Sequence, residues 1–164
     1  LLAPLMLYFF IGRDEGVFAN IHYSWLDYIA GFIFVVASVT DFFDGYIARK
    51  WNQMTKLGAV LDPLADKMLM LSAFLGLIII DRADVWAIYI ILTREFFITG
   101  LRVVAVSEGK NIASSFMGKA KTVIQMIAVG FLLMEWPMAD ELLLIAVLIT
   151  IYSGYEYVRD FIKG

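Results

Sequence analysis

Residues 41–66 read DFFDGYIARKWNQMTKLGAVLDPLAD, and this stretch predicts a hairpin with a polar turn. One apolar run, Tyr28–Asp44, leads into the hairpin, and a second, Gly58–Ile80, leads out of it. Both runs have the length of about 17–25 residues that lets a helix cross a bilayer. We therefore expect two antiparallel membrane helices joined by the polar segment Arg49–Lys56.

The composition of the whole chain favours a membrane protein. Of its 164 residues, 62% are hydrophobic and 18% are charged, and the mean hydropathy is +0.81, whereas a soluble domain is about 45–50% apolar and about 25% charged. The absence of Cys excludes a disulfide scaffold and a cysteine enzyme, and one His excludes a His-rich metal cluster. The net charge of -3 gives no basic footprint for nucleic acid.

Further apolar runs extend the pattern to six: Leu1–Ile11, Val85–Val106, Thr122–Met134 and Leu142–Tyr157. In lipid every backbone polar group needs an internal partner, so each run is expected to be a helix. The first run is short for a span, and we interpret it as the end of a helix whose start is missing. The predicted fold class is all-α, a polytopic bundle of six transmembrane helices that forms one domain over residues 1–164.

Basic residues between the runs set the predicted orientation. If the runs alternate in direction, only Arg13 and Arg82 fall on one side of the membrane. The other side carries Arg49, Lys50, Lys56, Lys110, Lys119, Lys121, Arg159 and Lys163. The positive-inside rule assigns the basic side, and both ends of the chain, to the cytoplasm.

Carboxylates occur inside these runs or at their ends, at Asp41, Asp44, Asp62, Asp66 and Glu95. A charge at the membrane centre costs about 2.5–3.5 kcal/mol on insertion scales, so such residues normally face the bundle interior or a water-filled cavity. For any one of them, a salt bridge between helices or an ion path is an alternative interpretation. The four aspartates form two pairs, three and four residues apart, and each pair shares one helix face.

The two aspartate pairs together predict a metal site. They fall at the cytoplasmic ends of neighbouring spans, so their carboxylates can converge, and the cations Arg49 and Lys67 are too few to neutralise them. Oxygen ligands suit Mg²⁺, Mn²⁺ or Ca²⁺, and two such ions about 3.5–4 Å apart are the usual clamp for phosphoryl transfer. Small residues lie beside the aspartate pairs, at Gly45, Ala48 and Gly58. Their size lets a bulky planar group or a phosphate approach the helix backbone; the alternative interpretation is close packing of one helix on another.

Residues 41–66 resemble the signature of the CDP-alcohol phosphatidyltransferase family, D-x2-D-G-x2-A-R-x8-G-x3-D-x3-D, at all eight fixed positions. The resemblance implies an enzyme that joins a CDP-linked lipid to an alcohol and releases CMP. It implies that two divalent ions, Mg²⁺ or Mn²⁺, are held by Asp41, Asp44, Asp62 and Asp66. It makes Asp66 the general base, and it assigns CDP binding to Asp41, Asp44, Gly45, Ala48, Arg49 and Gly58.

A second group of polar residues lies in the later half of the chain, where residues 93–102 read TREFFITGLR and residues 115–125 read SFMGKAKTVIQ. Four cations from these stretches are expected to face the aspartates and to bind an anionic group. They are Arg94, Arg102, Lys119 and Lys121. The alternatives are flanking charge with snorkelling Lys side chains and, for Arg102, neutralisation of Glu95.

Both stretches resemble the bacterial branch of this family that makes phosphatidylglycerophosphate. This resemblance implies that sn-glycerol 3-phosphate is the acceptor, that its phosphate lies on the four cations, and that its primary hydroxyl attacks the β-phosphorus of CDP-diacylglycerol. It also implies a bacterial inner membrane, a cytoplasmic active site and a homodimer. Ser72, Ala73 and Gly76 form a small-residue face for packing inside the bundle or against a second subunit.

Two other functions stay open at this point. One is a related phosphatidyltransferase with another acceptor, either a cardiolipin synthase or a phosphatidylinositol phosphate synthase. The other is a cation transporter that uses the aspartates as its ion path. Because all four aspartates lie at one membrane face instead of at mid-depth, the transporter is disfavoured.

Overall fold

The structure is a computed structural model that describes residues 2–14, 18, 22–50, 56–108 and 116–163. Within these residues the chain forms six helices and no strand. The helices are α1 (Leu2–Asp14), α2 (Tyr23–Lys50), α3 (Lys56–Ile79), α4 (Val85–Ser107), α5 (Phe116–Leu133) and α6 (Ala139–Lys163). The prediction of an all-helical chain is confirmed, and each apolar run corresponds to one helix.

Several helices extend beyond the apolar runs that predicted them. Helix α2 continues to Lys50, α5 begins at Phe116 and α6 continues to Lys163. Backbone hydrogen bonding within a helix does not require apolar side chains, and long Lys and Arg side chains can reach water from a helix end. For α2, α5 and α6 the apolar run therefore underestimates the length of the helix, whereas for α4 the run and the helix agree within one residue.

Two helical segments in the described part of the chain, Phe116–Leu133 and Ala139–Ile162, are long and apolar enough to cross a membrane. Only 33% and 39% of their most apolar windows are buried, whereas a helix that is apolar all round in a soluble protein is buried in its core. Shorter apolar helical segments are Ala3–Arg13, Ser24–Thr40 and Lys67–Ile79. These apolar, largely exposed helices indicate a membrane protein.

The first compact unit, Leu1–Arg82, contains α1, α2 and α3, and α1 packs against both of the other helices. Its core includes Met6, Phe10, Leu26, Phe34, Phe74 and Leu77. Gly76 on α3 allows the close approach of α1, since a Cβ at this position would lie 2.1 Å from Cδ2 of Phe10. Ser72, Ala73 and Gly76 form the predicted small-residue face, and all three are buried. At Gly76 this face packs inside the unit, against Phe10 of α1.

An ion triad lies in the same unit. Arg13 Nη1 donates to Asp27 Oδ1, and Arg82 Nη2 donates to Asp27 Oδ2, both over 2.7 Å. Asp27 is only 4% exposed, and a buried carboxylate is costly unless it is paired. The triad thus connects the last turn of α1, the start of α2 and the turn that follows α3.

The second compact unit, Ala83–Gly164, contains α4, α5 and α6, and α6 packs against both of the other helices. Its core includes Ile88, Ile91, Val129, Leu133, Leu143 and Ala146. Arg94 contacts Ser153, and further along both helices Arg102 contacts Tyr157, so α4 and α6 run in the same direction.

Candidate active site

The predicted metal ligands lie on two neighbouring helices of the first unit. Helix α2 carries the first aspartate pair and α3 carries the second, and these two helices pack against each other. The aspartate side chains belong to the stretches 41–50 and 56–66, which lie outside the described side chains, as does the connecting segment 51–55. The convergence of the carboxylates therefore stays a prediction, as does the role of Gly45, Ala48, Arg49 and Gly58.

The second unit contains a group of polar side chains that we call the polar cluster: Arg94, Glu95, Lys121, Gln125, Thr150 and Ser153. Helices α4, α5 and α6 each contribute two of these residues. The four members on α5 and α6 are buried. Burying polar groups costs free energy unless they are hydrogen-bonded. The hydrogen bonds within the polar cluster offset this cost.

Glu95 joins two of the four predicted phosphate-binding cations. Its Oε1 accepts hydrogen bonds from Lys121 Nζ and, over 3.3 Å, from Arg94 Nη1. The side chains of Lys121 and Arg94 are only 9% and 12% exposed, so water screens these charges weakly. Both cations therefore meet at one carboxylate oxygen in a poorly solvated place, and Arg and Lys side chains are groups that bind phosphates and carboxylates.

Helix α6 supplies further contacts to the polar cluster. Arg94 Nη2 donates to Ser153 Oγ over 2.9 Å, and Ser153 Oγ donates to the carbonyl oxygen of Thr150 over 3.1 Å. Gln125 Nε2 on α5 donates to Thr150 Oγ1 over 2.8 Å. These bonds hold the three helices together at the level of Arg94.

The other two predicted phosphate-binding residues, Arg102 and Lys119, are exposed. The guanidinium carbon of Arg102 lies 5.8 Å from the ring centroid of Tyr157, within the range of a cation–π interaction. The structure thus unites two of the four cations and places the other two at the surface.

Sequence reasoning missed the hydroxyl groups of α6 and the buried Asp27. Thr150, Ser153 and Tyr157 are spaced three and four residues apart, and this polar stripe on an apolar helix was the available signal. For Asp27, the signal was its position one residue before an apolar run, on the predicted side of the membrane that has Arg13 and Arg82 as its basic residues.

Apolar, largely exposed helices with a buried polar cluster between them are typical of a helical membrane protein. The sequence profile of the CDP-alcohol phosphatidyltransferase family matches residues 1–152, so the chain belongs to this family. The resemblance that residues 41–66 suggest is confirmed.

Curated relatives carry a more specific name, CDP-diacylglycerol--glycerol-3-phosphate 3-phosphatidyltransferase. The relative from Bacillus subtilis (strain 168) is 45% identical over 139 residues, which cover 79% of this chain and 72% of the relative. The relative from Haemophilus influenzae is 41% identical over 142 residues, with 80% and 76% covered. The relative from Rickettsia felis is 36% identical over 140 residues, with 80% and 77% covered.

Proposed function

We propose that the chain transfers the phosphatidyl group from CDP-diacylglycerol to sn-glycerol 3-phosphate and releases CMP. The observation that carries this proposal is the similarity to relatives of that name, at 36–45% identity over about four fifths of the chain. The family profile runs through both compact units, which supports a single catalytic domain over residues 1–164.

The proposed reaction is a substitution at phosphorus. The primary hydroxyl oxygen of the acceptor forms a bond to the β-phosphorus of CDP-diacylglycerol. The bond between that phosphorus and the CMP oxygen breaks, and CMP leaves with the electron pair. Asp66 is the proposed general base, because a carboxylate within hydrogen-bond reach of the hydroxyl can accept its proton.

The donor chemistry of the aspartate pairs fits two divalent cations. Four carboxylates on two helices that pack against each other supply the hard oxygen ligands that Mg²⁺ and Mn²⁺ prefer. When bound, these ions neutralise diphosphate charge and favour attack on phosphorus. The proposed metal ligands are Asp41, Asp44, Asp62 and Asp66, and the proposed CDP-binding residues are Asp41, Asp44, Gly45, Ala48, Arg49 and Gly58.

The polar cluster supports the choice of an acceptor that carries a phosphate. Arg94 and Lys121 both contact Glu95 and so lie close together, and two neighbouring cations suit a phosphate group. Arg102 and Lys119 are exposed and belong to the same proposed phosphate site.

The membrane arrangement belongs to the same proposal: six spans in a bacterial inner membrane, with the active site on the cytoplasmic side, and a homodimer as in the resembled family. Large apolar side chains that face outward support the spans, among them Phe32 at 69%, Trp86 at 73% and Phe116 at 83% exposure. The unequal distribution of basic residues supports the orientation. A cytoplasmic site at the membrane surface gives access to a lipid from the bilayer and to a soluble phosphate.

An acceptor panel tests the function. The purified protein in lipid vesicles receives labelled CDP-diacylglycerol, Mg²⁺ or Mn²⁺, and either sn-glycerol 3-phosphate, phosphatidylglycerol or inositol phosphate. We expect CMP release and a labelled phosphatidylglycerophosphate product only with sn-glycerol 3-phosphate. Faster turnover with either other acceptor would contradict the proposal, as would metal flux into the vesicles without nucleotide turnover.

A further inference from the structure

Two of the three guanidinium nitrogens of Arg94 are engaged within the protein. Nη1 donates to Glu95 Oε1 over 3.3 Å, and Nη2 donates to Ser153 Oγ over 2.9 Å. Nε is buried and has no hydrogen-bond partner in the described part of the chain. A guanidinium is planar, so fixing both Nη atoms also fixes the direction of Nε–H. A buried donor without a partner costs about 1–3 kcal/mol, and a bound anion would remove this cost.

Two adjacent residues of α6 form the contact surface for the Arg94 side chain. Ser153, which is 1% exposed, supplies the hydroxyl that accepts from Nη2. Gly154 supplies space, because a Cβ at this position would lie 3.1 Å from Arg94 Cγ and 3.2 Å from Nε. These distances are shorter than ordinary van der Waals contact, so a side chain at position 154 would press against the arginine beside Nε.

The Ser153 hydroxyl is itself oriented. Its Oγ donates to the carbonyl oxygen of Thr150 over 3.1 Å, which directs the hydroxyl hydrogen away from Arg94. The oxygen lone pairs are thereby available to the guanidinium. A residue without a hydroxyl at position 153 would leave Nη2 without this partner and free the arginine to rotate about its remaining contact with Glu95.

We propose that Ser153 and Gly154 are positioning residues, which orient Arg94 so that its Nε–H donates to the phosphate of the acceptor. This inference rests on the proposed function. Arg94 contacts the acceptor, and the two α6 residues act through it. Acceptor specificity is then determined partly by α6, a helix on which sequence reasoning assigned no site residue.

The test compares Ser153→Ala with Thr150→Val in lipid vesicles. The valine variant is the matched control, because it also removes a buried hydroxyl from this face of α6. The described partner of the Thr150 hydroxyl is Gln125, and that of the Ser153 hydroxyl is Arg94. For Ser153→Ala we expect the KM for sn-glycerol 3-phosphate to rise about ten-fold, as loss of one hydrogen bond to a charged group predicts. The KM for CDP-diacylglycerol and kcat should stay within about two-fold of wild type. For Thr150→Val, all three constants should stay within about two-fold.

A double-mutant cycle with Arg94→Gln tests whether the effect passes through the arginine. If it does, Ser153→Ala raises the acceptor KM in the wild-type background and has no further effect when Arg94 is already replaced. Gly154→Ala should behave in the same way. It removes no hydrogen-bonding atom and instead displaces the Arg94 side chain directly, so it tests the inference even if Ser153→Ala does not fold.

Equal acceptor KM values for Ser153→Ala and Thr150→Val would overturn the inference, as would additive effects in the cycle. These outcomes differ from failure of the proposed function. If wild type does not use sn-glycerol 3-phosphate, the function is wrong. If wild type uses it with a measurable KM that Ser153→Ala leaves unchanged, only the positioning role is wrong.

Discussion

At the scale of single residues, two carboxylates each meet two cations, with different consequences. The two Asp27 oxygens each accept from one arginine, Arg13 or Arg82. In the polar cluster a single Glu95 oxygen accepts hydrogen bonds from both Arg94 and Lys121. The Nε of Arg94 is buried and has no hydrogen-bond partner among the described residues. The first arrangement connects helices, whereas the second keeps a donor for a ligand.

The proposed base gives the first prediction. Asp66→Asn keeps the size of the side chain but removes the group that accepts the hydroxyl proton, so we expect kcat to fall by at least about 10²-fold. The measurement is CMP release in vesicles at saturating substrates. The control is Asp160→Asn, which removes a carboxylate from an exposed ion pair with Arg159 and should retain activity within about two-fold. Full activity of Asp66→Asn would contradict the assignment.

The buried triad gives the second prediction. Asp27→Asn leaves Arg13 and Arg82 without their shared carboxylate, and breaking a buried pair typically costs about 3–5 kcal/mol. We expect a large fall in the thermal unfolding midpoint of the protein in detergent. Asp160→Asn breaks a pair whose side chains are 44% and 45% exposed, where about 0–1 kcal/mol is expected. Similar midpoints for the two variants would show that the triad adds no stability.

At the scale of elements, hydrophobic runs predicted which segments are helical because lipid leaves the backbone no alternative. They did not predict the ends of α2 and α6, because polar side chains continue a helix after the apolar run has stopped. They also could not show that Arg94 meets Ser153, since residues 59 positions apart in sequence come together only through packing of α4 on α6. Each aspartate pair lies on one face of its helix because three- and four-residue spacings fix the face directly, whereas the convergence of the four carboxylates stays a prediction.

Packing of α1 on α3 gives the third prediction. In Gly76→Ala the new Cβ would lie 2.1 Å from Cδ2 of Phe10, so the buried Phe10 ring or one of the two helices must shift. Overpacking of this kind costs about 1–3 kcal/mol, and the unfolding midpoint in detergent should fall.

A matched control for Gly76→Ala is available on α5. A Cβ on Gly130 would meet no described heavy atom within 4 Å beyond the adjacent residues and the local backbone of its own helix. Gly130→Ala should therefore be neutral or stabilise the helix by up to about 1 kcal/mol. Adding Phe10→Leu to Gly76→Ala should restore part of the lost stability. Equal midpoints for the two glycine variants would contradict the proposed close approach.

At the scale of the whole molecule, the reaction requires a lipid and a water-soluble phosphate to meet at one membrane face. The amino-acid sequence supports the cytoplasmic face, because eight basic residues fall on one predicted side and two on the other. Helix α6 offers a direct test of this orientation. Its 25 residues correspond to about 37 Å, more than the about 30 Å of a hydrocarbon core, so its two ends should emerge on opposite faces.

The absence of Cys from the chain makes single-cysteine labelling the measurement for this last prediction. Asp140→Cys lies at the start of α6 and Arg159→Cys lies near its end, and both native side chains are exposed. In sealed vesicles with the native outer face outward, a membrane-impermeant maleimide should label Asp140→Cys at once and Arg159→Cys only after permeabilisation. The parent chain should remain unlabelled throughout. Immediate labelling of both variants would show that α6 does not span, and the reverse pattern would place the basic side, and the acceptor site with it, outside the cytoplasm.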